Sequence, residues 1–98
     1  MEQFLYQTIP LRKNFAFDMT DAEQEIIEEH FQYLKKLTSD SIVYLAGPVT
    51  DGSFGIVVFD AESKDFARAI MENDPAVKGG VMGAKLYPFR VSLFRGRD

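Results

Sequence analysis

The chain contains no cysteine and no tryptophan, and its single histidine is His30. Without cysteine there can be no disulfide, no thiolate metal site and no thiol nucleophile. One imidazole rules out every site built on two or more histidines, and neither a Gly-x-Ser-x-Gly elbow nor a Gly-x-x-x-x-Gly-Lys phosphate loop occurs. Long apolar stretches are missing as well. Runs such as Ile56 to Phe59 are far too short to span a bilayer, and the N-terminus has no basic-then-apolar leader. The expectation is a cytoplasmic protein with no membrane partner. Positive charge is also in deficit, 11 basic against 15 acidic residues for a net charge of −4, which argues against nucleic acid as a partner. No spacing of His30 with carboxylates argues for a metal, and no cofactor is expected.

What remains is a 98-residue chain, read as one domain spanning residues 1–98. A chain of that length can bury about 60–70% of its unfolded surface without staples. Charge is uneven along it: Asp18 to Glu29 carries acids and no base, whereas Lys85, Arg90, Arg95 and Arg97 crowd the end. Solvated faces account for both.

Phe4 to Ile9 reads as a first strand, stopped by Pro10. A polar-aromatic loop follows from Leu11 to Met19, long enough for a lid, although two phenylalanines packing a surface loop explain it equally. Thr20-Asp21-Ala22-Glu23 has the form of a capping box and starts a helix from Asp21 to about Leu37. On a helical wheel from Ile26, His30 falls at about 40°, between Leu37 at about 20° and Leu34 at about 80°, in the apolar stripe. Ile42 to Ala46, ended by Gly47-Pro48, and Phe54 to Phe59 read as two further strands joined by a five-residue connection, Val49 to Ser53. A second helix is expected from Glu62 to Asn73, with Phe66, Ala67, Ile70 and Met71 on one side, closed by Asn73-Asp74-Pro75. After Gly79, Gly80 and Gly83, Leu86 to Phe94 alternates into a fourth strand. Pro88 cannot donate to a ladder and puts that strand at an edge.

This order is the α+β, ferredoxin-like βαββαβ arrangement: a four-stranded antiparallel sheet with two helices on one face. The strands are apolar on both sides, so the other face is left open. A homodimer with the two sheets face to face, a dimeric α+β barrel, is the expected way to cover it.

His30 on the first helix, Leu45-Ala46-Gly47-Pro48 ending the second strand, Asn73-Asp74-Pro75 followed by Val77 and Gly80, and Tyr87-Pro88-Phe89-Arg90 near the end stand in the order of a known family. The chain resembles the YciI-like (YCII-related) family from its first strand to Arg90. That resemblance implies a dimeric α+β barrel related to lactone isomerases and quinol monooxygenases. It also implies a pocket bordered by Gly47 and Pro48, with a His-Asp pair, here His30 and Asp74, as the catalytic centre. Many members carry an arginine three residues before the histidine. Here the position is Ile27, with Arg12, Lys13 and Arg90 as unranked substitutes.

The wheel of the second helix, extended, also aims Asp74 along the core side. A carboxylate beside an imidazole fixes its tautomer and tunes it as a general base, suited to isomerisation, elimination or dehydrochlorinase-like proton transfer on a small molecule. The same residues admit plainer roles, His30 as a core histidine and Asp74 as a local turn cap. A dimer that binds a small ligand without chemistry is the alternative. A remote one is an RNA-binding sheet, because Gly52 to Phe59 loosely follows a third-strand RNA-recognition pattern that lacks its initial base.

Overall fold

In a computed structural model, which describes residues 1–96, the chain forms β1 (Glu2–Pro10), α1 (Asp21–Ser39), β2 (Val43–Pro48), β3 (Gly55–Ala61), α2 (Lys64–Glu72), α3 (Pro75–Lys78) and β4 (Met82–Pro88). The strands make one sheet in the order β2-β3-β1-β4, every neighbouring pair antiparallel. This is the ferredoxin-like α+β fold, with β4 at an edge. No helix among the described residues is long and apolar enough to cross a membrane.

Alternation decides what each strand buries. Phe4, Tyr6 and Thr8 of β1 are buried, and their register partners Phe59, Val57 and Gly55 on β3 share that face. With Val43, Ala61, Leu34 of α1, and Ala67 and Met71 of α2, Phe4, Tyr6, Val57 and Phe59 form the core between sheet and helices. The Phe59 ring meets Phe4 at 6.1 Å and Tyr6 edge-on at 5.6 Å. Phe59 is therefore sealed beneath the helices.

Several elements differ from the sequence expectation. The last strand spans Met82–Pro88 rather than Leu86 to Phe94: it pairs with β1 from Pro10 opposite Met82 to Phe4 opposite Pro88, and past Pro88 the Phe89 amide alone still donates to the β1 backbone, at the Gln3 carbonyl 3.0 Å away. Beyond Phe89 the chain leaves the ladder and lies along the face away from the helices, beside Leu5, Leu45, Ile56 and Val58. There the Val91 amide donates to Gln3 Oε1 at 2.7 Å, and the Phe94 ring stands edge-on to Tyr44 at 5.9 Å. The sheet face expected to be open is thus partly covered by this chain's own end, and Val58 is buried there. The second helix is shorter than expected and is followed by a third, α3. The buried side of α2 is Ala67, Ile70 and Met71, whereas Phe66, one helical step outside that stripe, is exposed.

Candidate active site

The capping box at Thr20 sets where α1 begins and so where His30 points. Thr20 Oγ1 accepts from the Glu23 amide, and Glu23 Oε1 accepts from the Thr20 amide at 2.8 Å. Arg12 fastens the preceding loop to this helix start, its guanidinium 2.7 Å from both Asp18 and Glu23. Arg12 first, then the Thr20 amide, hold the Glu23 carboxyl down at about 2. Inside that loop Phe15 is buried, while Phe17 is exposed. Gly52, at a left-handed φ of 83°, lets the β2–β3 turn pack against Ala16 and Phe17, where a Cβ would lie 2.9 Å from that of Ala16.

Ten residues into α1, His30 faces inward with its side chain 18% exposed. Its partner arrives from the far end of the core. At Asn73 α2 ends, Pro75 opens α3, and Asp74 between them is the cap of α3, its Oδ1 accepting the Ala76 amide at 2.9 Å. The same Oδ1 lies 2.6 Å from His30 Nδ1, and Oδ2 accepts the Tyr6 hydroxyl at 2.5 Å. Asp74 is 0% exposed. Its local capping role and its contact with His30 are therefore both present, made by one oxygen.

Because the carboxylate accepts only, Nδ1 carries the hydrogen, and in the neutral ring Nε2 is left with a free lone pair. Nε2 has no hydrogen-bond partner among the described residues, yet no buried side-chain nitrogen or oxygen there lacks one. It follows that Nε2 is open to the pocket that the ring lines. That pocket has a volume of about 790 Å³ and lies between α1, the β2–β3 hairpin and the Phe15 loop. Gly47, Pro48 and Ile27 all line it. Of the basic residues considered in place of an arginine at Ile27, none enters: Arg12 is held by Asp18 and Glu23, Lys13 is exposed outside the pocket, and Arg90 lies beside the opposite sheet face. Among the described residues no group of three or more His, Asp or Glu side chains is placed to hold a metal.

The profile of the YCII-related domain matches residues 7–90. The chain belongs to the YCII-related family. Two solved structures are similar to this YCII-related protein along most of their length. One is 5-chloro-2-hydroxyhydroquinone dehydrochlorinase from Burkholderia phenoliruptrix AC1100, in complex with 2,5-dihydroxybenzoquinone, with a TM-score of 0.70, 20% identity, and 90% of this chain and 93% of that one covered. The other is a muconolactone isomerase, with a TM-score of 0.69, 15% identity, and 100% and 98% covered. At these identities the likeness is one of fold. No curated protein matches the sequence.

Sequence reasoning missed Tyr6, which touches Asp74, and Thr8, which lines the pocket; Tyr6 is also electrostatically perturbed. Burial first, then the charge of Asp74 and the hydrogen bond to it, push its phenol well above the ordinary 10.0. Tyr33, whose hydroxyl donates to the Ile70 carbonyl at 2.7 Å, is raised to about 12 by burial and then by Asp74. In the unfolded chain both phenols ionise from about pH 10, while the folded protein keeps their protons. The folded state then binds more protons, so stability falls as pH rises above that point. For Tyr6 the expected loss is about 1.4 kcal/mol per pH unit, with a smaller, solvent-screened share from half-buried Tyr33. Urea midpoints measured from about pH 9.5 to 11.5 check this, and Tyr6→Phe is expected to flatten the slope. An unchanged slope in that variant would show that the alkaline loss comes from elsewhere.

Proposed function

We propose that this domain is a small-molecule enzyme in which His30 Nε2 takes a proton from the bound substrate and returns or releases it, with Asp74 fixing the ring. In an isomerisation the proton goes back at a second carbon. In an elimination it passes to solvent as the anionic leaving group departs. The observation that carries the reading is one imidazole with Nδ1 2.6 Å from a fully buried carboxylate and Nε2 open to a pocket of about 790 Å³. A histidine serving only the core would have both nitrogens satisfied inside it. The family and the two neighbours of like fold, a dehydrochlorinase and an isomerase, support this class of chemistry. The test is chloride release from 5-chloro-2-hydroxyhydroquinone by the wild type and by His30→Gln. Turnover that depends on His30 supports the proposal. Turnover equal in the two proteins, or ligand binding with no conversion, instead favours a binding or sensor domain.

We further propose that the domain acts as a homodimer through the sheet face away from the helices. Leu45, Tyr87 and Phe89 remain 44–48% exposed there, and Leu93 is 95% exposed. The chain's own end covers this face only in part, and a second copy would complete the cover. Light scattering at micromolar concentration is expected to give about twice the chain mass of 11.1 kDa. A mass of one chain would overturn the dimer and leave the His30 proposal standing.

A further inference from the structure

Thr8 is a buried polar residue at the end of the strand that carries Tyr6. It is 3% exposed and lines the same pocket as His30. Strand alternation puts Phe4, Tyr6 and Thr8 on one face, and of the three it is Thr8 that lines the pocket. The Thr8 hydroxyl has no hydrogen-bond partner among the described residues. No buried side-chain oxygen there is left unsatisfied, so Oγ1 is not sealed off. The pocket is what it opens on. Directly across the ladder stands Gly55, where a Cβ would come within 2.7 Å of Oγ1. Glycine at that position is what leaves the hydroxyl room, and a hydroxyl so placed can donate one hydrogen bond and accept others.

The rest of the lining is nearly free of charge. Apart from His30 the one ionisable side chain in it is Lys35, which is exposed. Thr38 is spent on the Leu34 carbonyl at 2.8 Å. A carboxylate brought inside would lose its water and find no buried cation, because Ile27 occupies the wall and the Arg12 guanidinium is engaged by Asp18 and Glu23.

We infer that Thr8 is a substrate-binding residue of this pocket, and that the ligand it takes is an uncharged, mainly apolar molecule presenting a hydroxyl or carbonyl oxygen to Oγ1 rather than a carboxylate. The inference rests on the proposal that this pocket holds the substrate, and it names what kind. Thr8 orients the ligand by one oxygen while His30 meets the proton to be moved.

The experiment titrates the full chain with chlorohydroquinone and with 2,5-dihydroxybenzoate, a similar ring bearing a carboxylate, and reads the imidazole signals of His30 by NMR. Chlorohydroquinone is expected to bind at least about tenfold more tightly than the carboxylate. Thr8→Val keeps the shape and deletes the hydroxyl, and is expected to weaken chlorohydroquinone by about three- to tenfold. Thr8→Ser keeps the hydroxyl and should stay within about twofold of wild type. If the valine variant does not fold, Thr8→Ala carries the same comparison. Unchanged affinity in the variant lacking the hydroxyl, or a serine variant as weak as it, overturns the role of Thr8. Equal or tighter binding of the carboxylate, or no response to either probe, overturns the ligand class. None of these readouts requires turnover, so they fail separately from the His30 proposal, which the conversion assay tests.

Discussion

Asp74→Ala is expected to cost about 3–5 kcal/mol of folding stability, the loss expected when several buried donors lose one charged acceptor at about 1–3 kcal/mol each. Three donors converge on that carboxylate, His30 Nδ1, the Tyr6 hydroxyl and the Ala76 amide, and alanine leaves all three facing a void. The residue also caps α3, and a lost cap alone is worth about 1 kcal/mol. Against a total of about 5–15 kcal/mol for a domain, the variant should sit near the edge of folding. Asp74→Asn is the informative contrast. Its amide oxygen can still accept from Nδ1 and from the Ala76 amide, and the Tyr6 hydroxyl can rotate to accept from the new NH₂ group. It should therefore lose only about 1–2 kcal/mol while removing the charge. Urea unfolding with an unchanged slope measures both losses. A cost below about 1 kcal/mol for the alanine variant would mean that the three hydrogen bonds are not held together in solution.

The contrast between what was legible in the sequence and what was not follows the range of the interactions. Helix α1 begins at Asp21, where the sequence placed it, because a capping box is written within four residues. The side of α1 that carries His30 follows from the same local periodicity. Asp74 was harder, since α2 stops at Glu72 and the wheel cannot be carried through Pro75. Its pairing with the histidine came from the family resemblance. The fourth strand was misplaced because the alternation from Tyr87 to Leu93 is present in the sequence, while the register that sets Met82 opposite Pro10 is a long-range fact. Tyr6 and Thr8 were missed for a related reason. Within the strand Phe4 to Ile9 nothing local marks the tyrosine, and its partner is 68 residues away. The one available signal was chemical: a buried tyrosine or threonine needs somewhere to place its hydroxyl.

If His30 moves the proton, His30→Gln is expected to lower kcat by about 10²–10⁴, the usual contribution of a placed general base. Glutamine fills much of the same space on α1 and can still donate an N–H to Asp74, so the Asp74 cap and the Tyr6 contact survive. What it lacks is a nitrogen lone pair of useful basicity at the position of Nε2. Because Nδ1 faces Asp74 and Nε2 faces the pocket, the loss should appear in kcat with KM little changed, the signature of an interaction made only in the transition state. Asp74→Asn should fall between wild type and His30→Gln. It keeps the base but loses the fixed negative charge that stabilises the ring as it becomes positive. Combining the two substitutions separates the roles. Once the imidazole is gone there is no ring left to orient, so the double variant should be no slower than His30→Gln alone. Losses that multiplied instead would show Asp74 acting on the substrate directly, and that would conflict with its complete burial behind the histidine.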